Sequence, residues 1–182
     1  MDLRAVFLDR DGVLNVDLPG GVVRREDFAF LPGALDAVAR LTRAGLPIFI
    51  ITNQANVGRG VVSRSLVEDI HARMLETIRV HGGAIAGLYA CFHAPEDGCA
   101  CRKPAPGLLE QAAREHSLDL ARVAFVGDDG RDLEAAVRAG ARPFLVLTGK
   151  GRTIEPRVRS GELLAEAVLE DLAAFARRAV PD

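Results

Sequence analysis

Short apolar runs alternate along this chain with segments whose apolar residues recur at helical spacing. Each run has the length and composition of a buried strand. The spacing between runs leaves room for a crossover helix, which is the connection that parallel strands require. The runs lie at residues 5–8, 47–51, 85–91, 123–126 and 144–147. The alternation therefore predicts an α/β fold, with a parallel sheet and helices on both of its faces.

The first two helices are marked by apolar stripes that we expect to lie in the core. One stripe falls within residues 33–44, and a second covers residues 66–74. Ser63 and Ser65 both precede the second stripe, and either is a suitable N-cap because its hydroxyl can accept from a free backbone N–H. The two stripes predict helices in the first and second connections of the sheet.

Two further helices and an ambiguous tail complete the pattern. A third helix is predicted to begin with Pro106 in its first turn, where the missing N–H costs nothing. A fourth is predicted over residues 132–139 and ends at Gly140, since glycine commonly follows the last turn. The tail, residues 162–178, favours helix by composition, but residues 167–169 also suit a short edge strand.

Composition limits the classes of protein to which the chain can belong. Its 182 residues fit a single domain, residues 1–182, and its net charge of -2 offers no basic field for nucleic acid. The apolar runs are short and interrupted by charges, and the chain enters a strand pattern without a leader. We therefore expect a cytoplasmic protein that does not bind membranes. The lack of a long apolar surface stripe favours a monomer.

Two pairs of aspartates each follow an apolar run. Asp9 and Asp11 follow the first run, and Asp128 and Asp132 follow the run at 123–126. The carboxyl ends of parallel strands are where open α/β sheets bind their ligands. Carboxylate oxygens suit Mg2+, which usually shares its coordination with a phosphate. The pairs therefore predict a magnesium site for phosphate chemistry.

The residues can be given chemical roles before any family is considered. Asp9 is a candidate nucleophile, since a carboxylate can attack phosphorus and form an aspartyl phosphate. Asp11 could protonate the leaving oxygen and later take a proton from water. We expect Mg2+ to be held by Asp9 and Asp128, with the Asp11 carbonyl as a further ligand. These roles describe a phosphatase with a covalent intermediate.

Further donors follow the second strand and the cysteine-rich loop. Thr52 and Asn53 close the second strand, and Lys103 precedes the third helix. A hydroxyl, an amide and an ammonium suit the non-bridging oxygens of a phosphate in its transition state. A lone D-x-D after a strand is often only a solvated turn or an N-cap. The ordered combination of motifs favours the catalytic interpretation.

All three cysteines lie in one loop with a histidine. Cys91, His93, Cys99 and Cys101 form the pattern C-x-H-x5-C-x-C, within a loop over residues 91–101. Four such ligands suit a tetrahedral, structural Zn2+ with no open position. Three ordinary thiols with an incidental histidine, or a redox pair of Cys99 and Cys101, are the alternatives. We expect zinc to hold the loop that leads into Arg102 and Lys103.

The ordered motifs resemble those of the haloacid dehalogenase superfamily of phosphohydrolases. The resemblance covers residues 7–132 and includes D-x-D-G, T-N, R-K-P and G-D-x-x-x-D. It implies a Rossmann-like sheet and assigns to the matching residues the roles given above. These residues are Asp9, Asp11, Thr52, Lys103 and Asp128.

Within that superfamily, the chain resembles the group of histidinol-phosphate and heptose-bisphosphate phosphatases. The likeness rests on RDGVLNVD, TNQANVGRG, CRKPAPGLL and LVLTGKG. It implies a small phosphorylated sugar as the substrate, with loss of the 7-phosphate on the route to the heptose of lipopolysaccharide. In that group the arginine matching Arg102 helps to recognise the substrate. The late TGKG favours heptose bisphosphate over histidinol phosphate, the enzymatic alternative.

The sequence departs from the group's pattern around the expected substrate site. Residues 18–22 contain no aromatic residue after Asp17, and Asp129 stands where some members have lysine and could assist Mg2+. No insertion long enough for a cap domain is present, so the site should be open. Specificity is then expected from the loops around Asp17, Gln54 and Arg102, with Asn53 and Asp129 beside the substrate.

Three further features of the sequence are left with open interpretations. The triplets at 58–60 and 149–151 are either plain turns or backbone grips for a second phosphate. His71, His81 and His116 are predicted to be surface residues. A receiver-type phospho-acceptor domain is the non-enzymatic alternative, but it would be shorter and would not need the cysteine loop.

Overall fold

The computed structural model describes residues 1–181 and contains one six-stranded parallel sheet. The strand order is β3-β2-β1-β4-β5-β6, and every neighbouring pair is parallel. The strands are β1 (Ala5–Leu8), β2 (Ile48–Asn53), β3 (Gly87–Cys91), β4 (Val123–Gly127), β5 (Arg142–Val146) and β6 (Ala167–Leu169). The five predicted apolar runs therefore correspond to β1–β5, and the ambiguous stretch at 167–169 is an edge strand.

Within the described residues, seven α-helices connect and flank the strands. They are α1 (Ala34–Arg43), α2 (Ala55–Gly58), α3 (Arg64–Val80), α4 (Gly107–His116), α5 (Gly130–Ala139), α6 (Gly151–Arg159) and α7 (Leu172–Ala179). Ser63 is the N-cap of α3, and its side chain accepts from the Leu66 backbone N–H at 3.1 Å. Pro106 lies one position before α4 instead of in its first turn, and α5 begins two residues earlier than predicted.

Helices cover both faces of the sheet. Helices α1, α3 and α7 pack on one face against alternate residues of β1, such as Val6 and Leu8. Helices α4 and α5 pack on the other face against Ala5 and Phe7. Strand β1 is buried on both sides, as central strands of parallel sheets are. Within residues 1–181, no helix combines the length and the apolar composition needed to cross a bilayer.

The order of the strands fixes where ligands can bind. The connections change direction between β1 and β4, so the carboxyl ends of these strands border a crevice. This is the Rossmann order, whereas receiver-type domains have the order 2-1-3-4-5. The receiver-type alternative is therefore wrong for this chain. Asp9 and Asp11 follow β1, and Asp128 follows β4, so the fold brings the two acidic motifs to one crevice.

Candidate active site and metal centres

Three buried carboxylates meet at the ends of β1 and β4. Asp9, Asp128 and Asp132 each offer an oxygen, and these oxygens lie within 4.8 Å of one another. Lys103 Nζ lies 2.8 Å from Asp9 Oδ1 and 2.6 Å from Asp132 Oδ1. One ammonium cannot neutralise three carboxylates, so the cluster retains an excess of negative charge. A hard divalent cation fits such an oxygen donor set.

The pKa values of the cluster reflect this excess. Burial, together with the charges of Asp132 and Asp11, raises the pKa of Asp9 to about 7 against the opposing charge of Lys103. Burial and the charges of Asp132 and Asp9 raise the pKa of Asp128 to about 8. Both carboxyl groups ordinarily titrate near 3.8. A bound cation would favour their ionised forms.

Two glycines with positive φ allow the chain to pass close to Asp128. Gly12 has a φ of +84° and Gly149 a φ of +54°, and a Cβ at either position would collide with the Asp128 carboxylate. The backbone N–H of Lys150 donates to Asp128 Oδ2 at 2.8 Å. The triplet at 149–151 is therefore a turn that closes on this carboxylate, and the loop after β1 approaches the same oxygen beside it.

Lys103 is fixed from several directions. The Asn53 side chain accepts from the Lys103 backbone N–H and donates to its carbonyl, both at 3.1 Å. The Nζ atom also donates to the Ile51 carbonyl at 2.9 Å. Burial alone would lower the Lys103 pKa, but Asp132 and Asp9 raise it above its usual value. Lys103 is therefore a permanent ammonium, and Asn53 positions it.

Asp11 occupies a separate environment beside the carboxylate cluster. Its Oδ2 accepts from Arg10 Nε at 3.1 Å and Gln54 Nε2 at 2.9 Å. Its Oδ1 accepts from Arg10 Nη2 at 2.9 Å and Asn15 Nδ2 at 3.0 Å. Burial would raise the pKa of Asp11, but Arg10 and the other donors lower it. The Asp11 carboxylate is therefore taken up by these donors and is not one of the clustered carboxylates, so its backbone carbonyl is the atom that suits the predicted role in Mg2+ binding.

The hydrogen bonds of Asp11 also indicate how it could gain a proton. Each carboxylate oxygen has two lone pairs, and both oxygens already accept two hydrogen bonds. A proton on Oδ2 therefore requires one donor to leave. Gln54 lines the pocket and also donates to Thr52 Oγ1 at 2.9 Å. Thr52 itself is fully buried beneath it.

A pocket of about 480 Å³ opens above these groups. Its wall includes four cationic side chains: Arg59, Arg102, Arg131 and Lys150. The Nη1 atom of Arg102 is buried and lacks a hydrogen-bond partner among the described residues. An unpaired buried donor at a pocket wall suits an anionic ligand, because leaving it unsatisfied costs about 1–3 kcal/mol.

Asp17 and Asp129 neutralise part of this cationic wall. Lys150 Nζ lies 3.2 Å from Asp17 Oδ2 and 3.5 Å from Asp129 Oδ2. Arg131 donates to both oxygens of Asp129, at 3.1 and 2.7 Å. Asp129 also caps α5 by accepting from the Arg131 backbone N–H. Asp129 therefore pairs with two cations and does not join the carboxylate cluster assigned to Mg2+.

The four predicted zinc ligands converge in the loop after β3. Five pairs among Cys91, His93, Cys99 and Cys101 have ligand atoms 3.2–3.6 Å apart. A Zn–S distance of about 2.3 Å gives a tetrahedral edge of roughly 3.8 Å, so the cluster has nearly the right size. The donor set and its spacing fit Zn2+.

The zinc loop is packed against the wall of the pocket. Gly58 at the end of α2 touches the backbone of Phe92, His93 and Ala94 so closely that a Cβ would collide with it. Gly58 thus allows close packing, Gly60 has a positive φ of +68° with open space around it, and Arg59 lines the pocket. The loop then leads directly into Arg102 and Lys103.

Sequence reasoning missed several residues of the site. Asp132 was noticed as part of an acidic motif, but its role as a partner of Lys103 was not assigned. His71 was predicted to lie at the surface, and this was wrong: it is 5% exposed and contacts Arg10. The sequence does contain a signal for the burial of His71, because it lies four residues after Val67 and next to Ile70, on the buried face of α3.

Comparison with known proteins gives the same picture. The profile of a family described as HAD-hydrolase-like matches residues 100–175. The D-glycero-beta-D-manno-heptose-1,7-bisphosphate 7-phosphatase of Bordetella bronchiseptica is 42% identical, over 97% of both chains. The protein of the same name from Pseudomonas putida is 40% identical, over 98% of this chain and all of the relative.

Solved structures agree with these relatives. A crystal structure of the D,D-heptose 1,7-bisphosphate phosphatase from B. bronchiseptica, in complex with magnesium and phosphate, matches with a TM-score of 0.91. That match has 41% identity and covers 97% of this chain and 98% of the other. The corresponding phosphatase from Burkholderia thailandensis matches with a TM-score of 0.73 and 33% identity, over 98% and 99% of the two chains.

Proposed function

Since this chain belongs to the heptose-bisphosphate phosphatase family of the haloacid dehalogenase superfamily, we propose that it removes the 7-phosphate of D-glycero-D-manno-heptose 1,7-bisphosphate. The observation that carries the proposal is 42% identity over 97% of both chains to a phosphatase of that name. The buried cluster of carboxylates and Lys103 supplies the chemistry that such a reaction needs. The product would be a heptose 1-phosphate for lipopolysaccharide precursors.

In the first half of the reaction, Asp9 attacks the phosphorus of the 7-phosphate. Its Oδ1 is held by Lys103 and by the Arg10 backbone N–H at 2.7 Å, which leaves Oδ2 for the new bond. As that bond forms, the bond from phosphorus to the sugar oxygen breaks, and the leaving oxygen takes a proton from Asp11. The result is an aspartyl phosphate and a free sugar hydroxyl.

In the second half, water attacks the phosphorus and Asp11 takes its proton. The bond to Asp9 then breaks and inorganic phosphate leaves. Four hydrogen-bond donors favour the carboxylate form of Asp11, which is the form that a general base requires. One residue thus serves as acid in the first half and as base in the second.

Lys103 and a magnesium site would hold the transferring phosphoryl group. Asp9 and Asp128, with the backbone carbonyl of Asp11, would hold Mg2+, which would lower the negative charge that opposes attack. Lys103 adds a fixed positive charge, and Asp132 aligns it through the 2.6 Å ion pair. Thr52 and Asn53 support this arrangement from beneath, through Gln54 and the Lys103 backbone.

The cationic wall of the pocket is suited to the rest of the substrate. Arg102 has an unpaired buried donor, and we assign it to substrate recognition. Gln54, Asp17 and Asp129 border the same pocket and are assigned to the sugar side. Asp17 and Asp129 can act by accepting from sugar hydroxyls or by orienting Lys150.

We assign Zn2+ to the cysteine loop as a structural ion. Four protein ligands complete a tetrahedral shell, so the ion has no open position for catalysis. The loop leads directly into Arg102 and Lys103, so a rigid loop helps to hold both side chains in place. This assignment rests on the donor set and on the 3.2–3.6 Å separations.

The proposal includes a single, capless domain over residues 1–182 that acts as a cytoplasmic monomer. The β1–α1 connection contains only one short 3-10 helix, Arg25–Asp27. The pocket above the carboxylates is open to solvent. A bisphosphate carries too much charge to cross a bilayer unaided, which supports an enzyme that works in the compartment where its substrate is made.

The test is phosphate release in the presence of Mg2+ from both anomers of the heptose 1,7-bisphosphate. Fructose 1,6-bisphosphate and histidinol phosphate serve as competing substrates, and phosphorus NMR locates the phosphate that remains. We expect a preference for a heptose bisphosphate with loss of the 7-phosphate. Preference for histidinol phosphate would instead retain the catalytic roles and overturn the assignment of the sugar.

A further inference from the structure

Arg10 is a buried charge in the middle of the catalytic motif. It follows the nucleophile Asp9, and its side chain is 1% exposed. Its guanidinium donates to both oxygens of Asp11: Nε donates to Oδ2 at 3.1 Å, and Nη2 donates to Oδ1 at 2.9 Å. Such a two-point contact fixes the rotation of a carboxylate as well as its place.

The third nitrogen of this guanidinium contacts His71. Arg10 Nη1 lies 2.9 Å from His71 Nε2. Burial and the charge of Arg10 lower the pKa of His71 to about 4, so the imidazole is neutral at physiological pH. The Nε2 atom then accepts the hydrogen bond, because every nitrogen of an arginine is a donor.

His71 is held rigidly by the helix that carries it. Helix α3 has 17 residues and begins at the Ser63 cap. Its Met74 and Ile78 belong to the apolar core on one face of the sheet, and its Ile70 is also nearly inaccessible to solvent. The chain of contacts therefore runs from a well-packed helix through His71 and Arg10 to both oxygens of Asp11.

We propose that Arg10 and His71 are positioning residues, which together hold Asp11 in line to exchange a proton with the leaving oxygen. This inference rests on the proposed function and adds two residues to its machinery. The other two donors to Asp11 each contact a single oxygen, whereas Arg10 contacts both. Asn15 is fully buried and reaches only Oδ1, and Gln54, at the pocket wall, is 8% exposed and reaches only Oδ2.

The role predicts an effect that depends on the leaving group. A sugar alkoxide is a poor leaving group and needs the proton of Asp11 as its bond to phosphorus breaks. A p-nitrophenolate leaves readily without one. Misplacing Asp11 should therefore slow hydrolysis of the sugar phosphate and leave hydrolysis of p-nitrophenyl phosphate nearly unchanged. General damage to the fold should slow both reactions equally.

The experiment compares kcat/KM for the heptose bisphosphate and for p-nitrophenyl phosphate in His71→Leu, which leaves Arg10 Nη1 without its acceptor. We expect a loss of about 10- to 100-fold with the sugar phosphate, since displacements near 1 Å cost as much as about 100-fold. With the aryl phosphate we expect a loss of less than about threefold. His71→Met replaces His71→Leu if the latter does not fold.

Two further variants separate positioning from stability. His71→Gln retains an acceptor for Arg10 and should keep both rates within about threefold of the starting protein. Ile78→Ala removes buried volume from the same helix without contacting Arg10, and any loss should be equal for the two substrates. An equal loss with both substrates in His71→Leu, or no rescue by glutamine, would overturn the proposal.

The same series remains informative if the sugar assignment fails. The protein would then not release phosphate from either heptose anomer, and the ratio would be measured with fructose 1,6-bisphosphate, another alkyl phosphate. A selective loss with that substrate would support the role of His71, and an equal loss would overturn it.

Discussion

At the scale of single residues, the assignment of Asp9 as nucleophile is directly testable. Asp9→Asn removes the attacking oxygen and should lower phosphate release by about 1,000-fold or more. The thermal midpoint should not fall, because the change removes one of the charges crowded around Asp128. Glu170→Gln, an exposed change in a surface ion pair, should leave the rate unaltered. Full hydrolysis by Asp9→Asn would exclude the covalent route.

The raised pKa values predict that Mg2+ binding depends on pH. In the metal-free protein, Asp9 titrates near 7 and Asp128 near 8, so Mg2+ must displace protons below these values. We expect the apparent affinity to rise between about pH 6 and pH 8.5, with proton release on binding. Calorimetry in two buffers of different ionisation enthalpy measures both quantities. A dissociation constant that does not change with pH would contradict this prediction.

The same shifts affect the stability of the metal-free protein. The folded state holds these two protons more tightly than the unfolded state, so the contribution of Asp9 and Asp128 to stability falls as pH rises from about 4 to 8. Saturating Mg2+ should offset this loss. Asp9→Asn provides the control, since one of the two titrating groups is then absent.

Residues that follow strands were easier to predict than residues beneath them. Asp9, Asp11 and Asp128 come directly after apolar runs, which places them at a sheet edge before any coordinates are known. Arg10 could not be assigned in the same way, because an arginine next to two aspartates ordinarily points to solvent. In its buried position Arg10 contacts His71, which lies 61 positions away along the chain, and no pattern near Arg10 in the sequence reveals this contact.

At the scale of elements, the turn between β5 and α6 should control the metal site. Gly149→Ala places a Cβ against the Asp128 carboxylate and also strains a positive φ. We expect Mg2+ affinity to fall by about tenfold or more, because a displaced carboxylate loses its place around the ion. Gly161→Ala is the matched control, since its φ is +80° and the space around it is open. Similar Mg2+ affinities in the two variants would contradict the prediction.

The elements themselves were predictable where their pattern was strong. Strands β1–β5 each contain a short apolar run, and α1 and α3 carry clear stripes, so their places followed from the sequence. Helix α6 was not predicted. It contains Pro156 and has only Ile154 and Val158 as large apolar residues, and its single fully buried position is Gly151. Ile154 and Val158 pack against a cluster that contains Leu145 and Leu163, and no local sequence pattern reveals this contact.

At the scale of the whole molecule, the cysteine loop should link stability to catalysis. Removal of Zn2+ by a chelator should lower the thermal midpoint and kcat together, because the loop carries Lys103 to the carboxylates. Cys99→Ser should do the same, whereas Asp119→Asn, at the exposed N-cap of a short 3-10 helix outside the cysteine loop, should not. Metal analysis, calorimetry and phosphate release test this prediction. Unchanged stability and rate after complete removal of zinc would refute a structural ion.

The central position of β1 in the sheet affects how the chain folds during its synthesis. Strand β1 pairs with β2 on one side and with β4 on the other, so its second neighbour starts only at Val123. Until the ribosome has added β4, one edge of this apolar strand has no partner. Asp128, which joins Asp9 in the carboxylate cluster, directly follows β4 and is therefore made long after Asp9. The nascent chain keeps an aggregation-prone edge until the same stretch of sequence supplies both the missing neighbour of β1 and this part of the site.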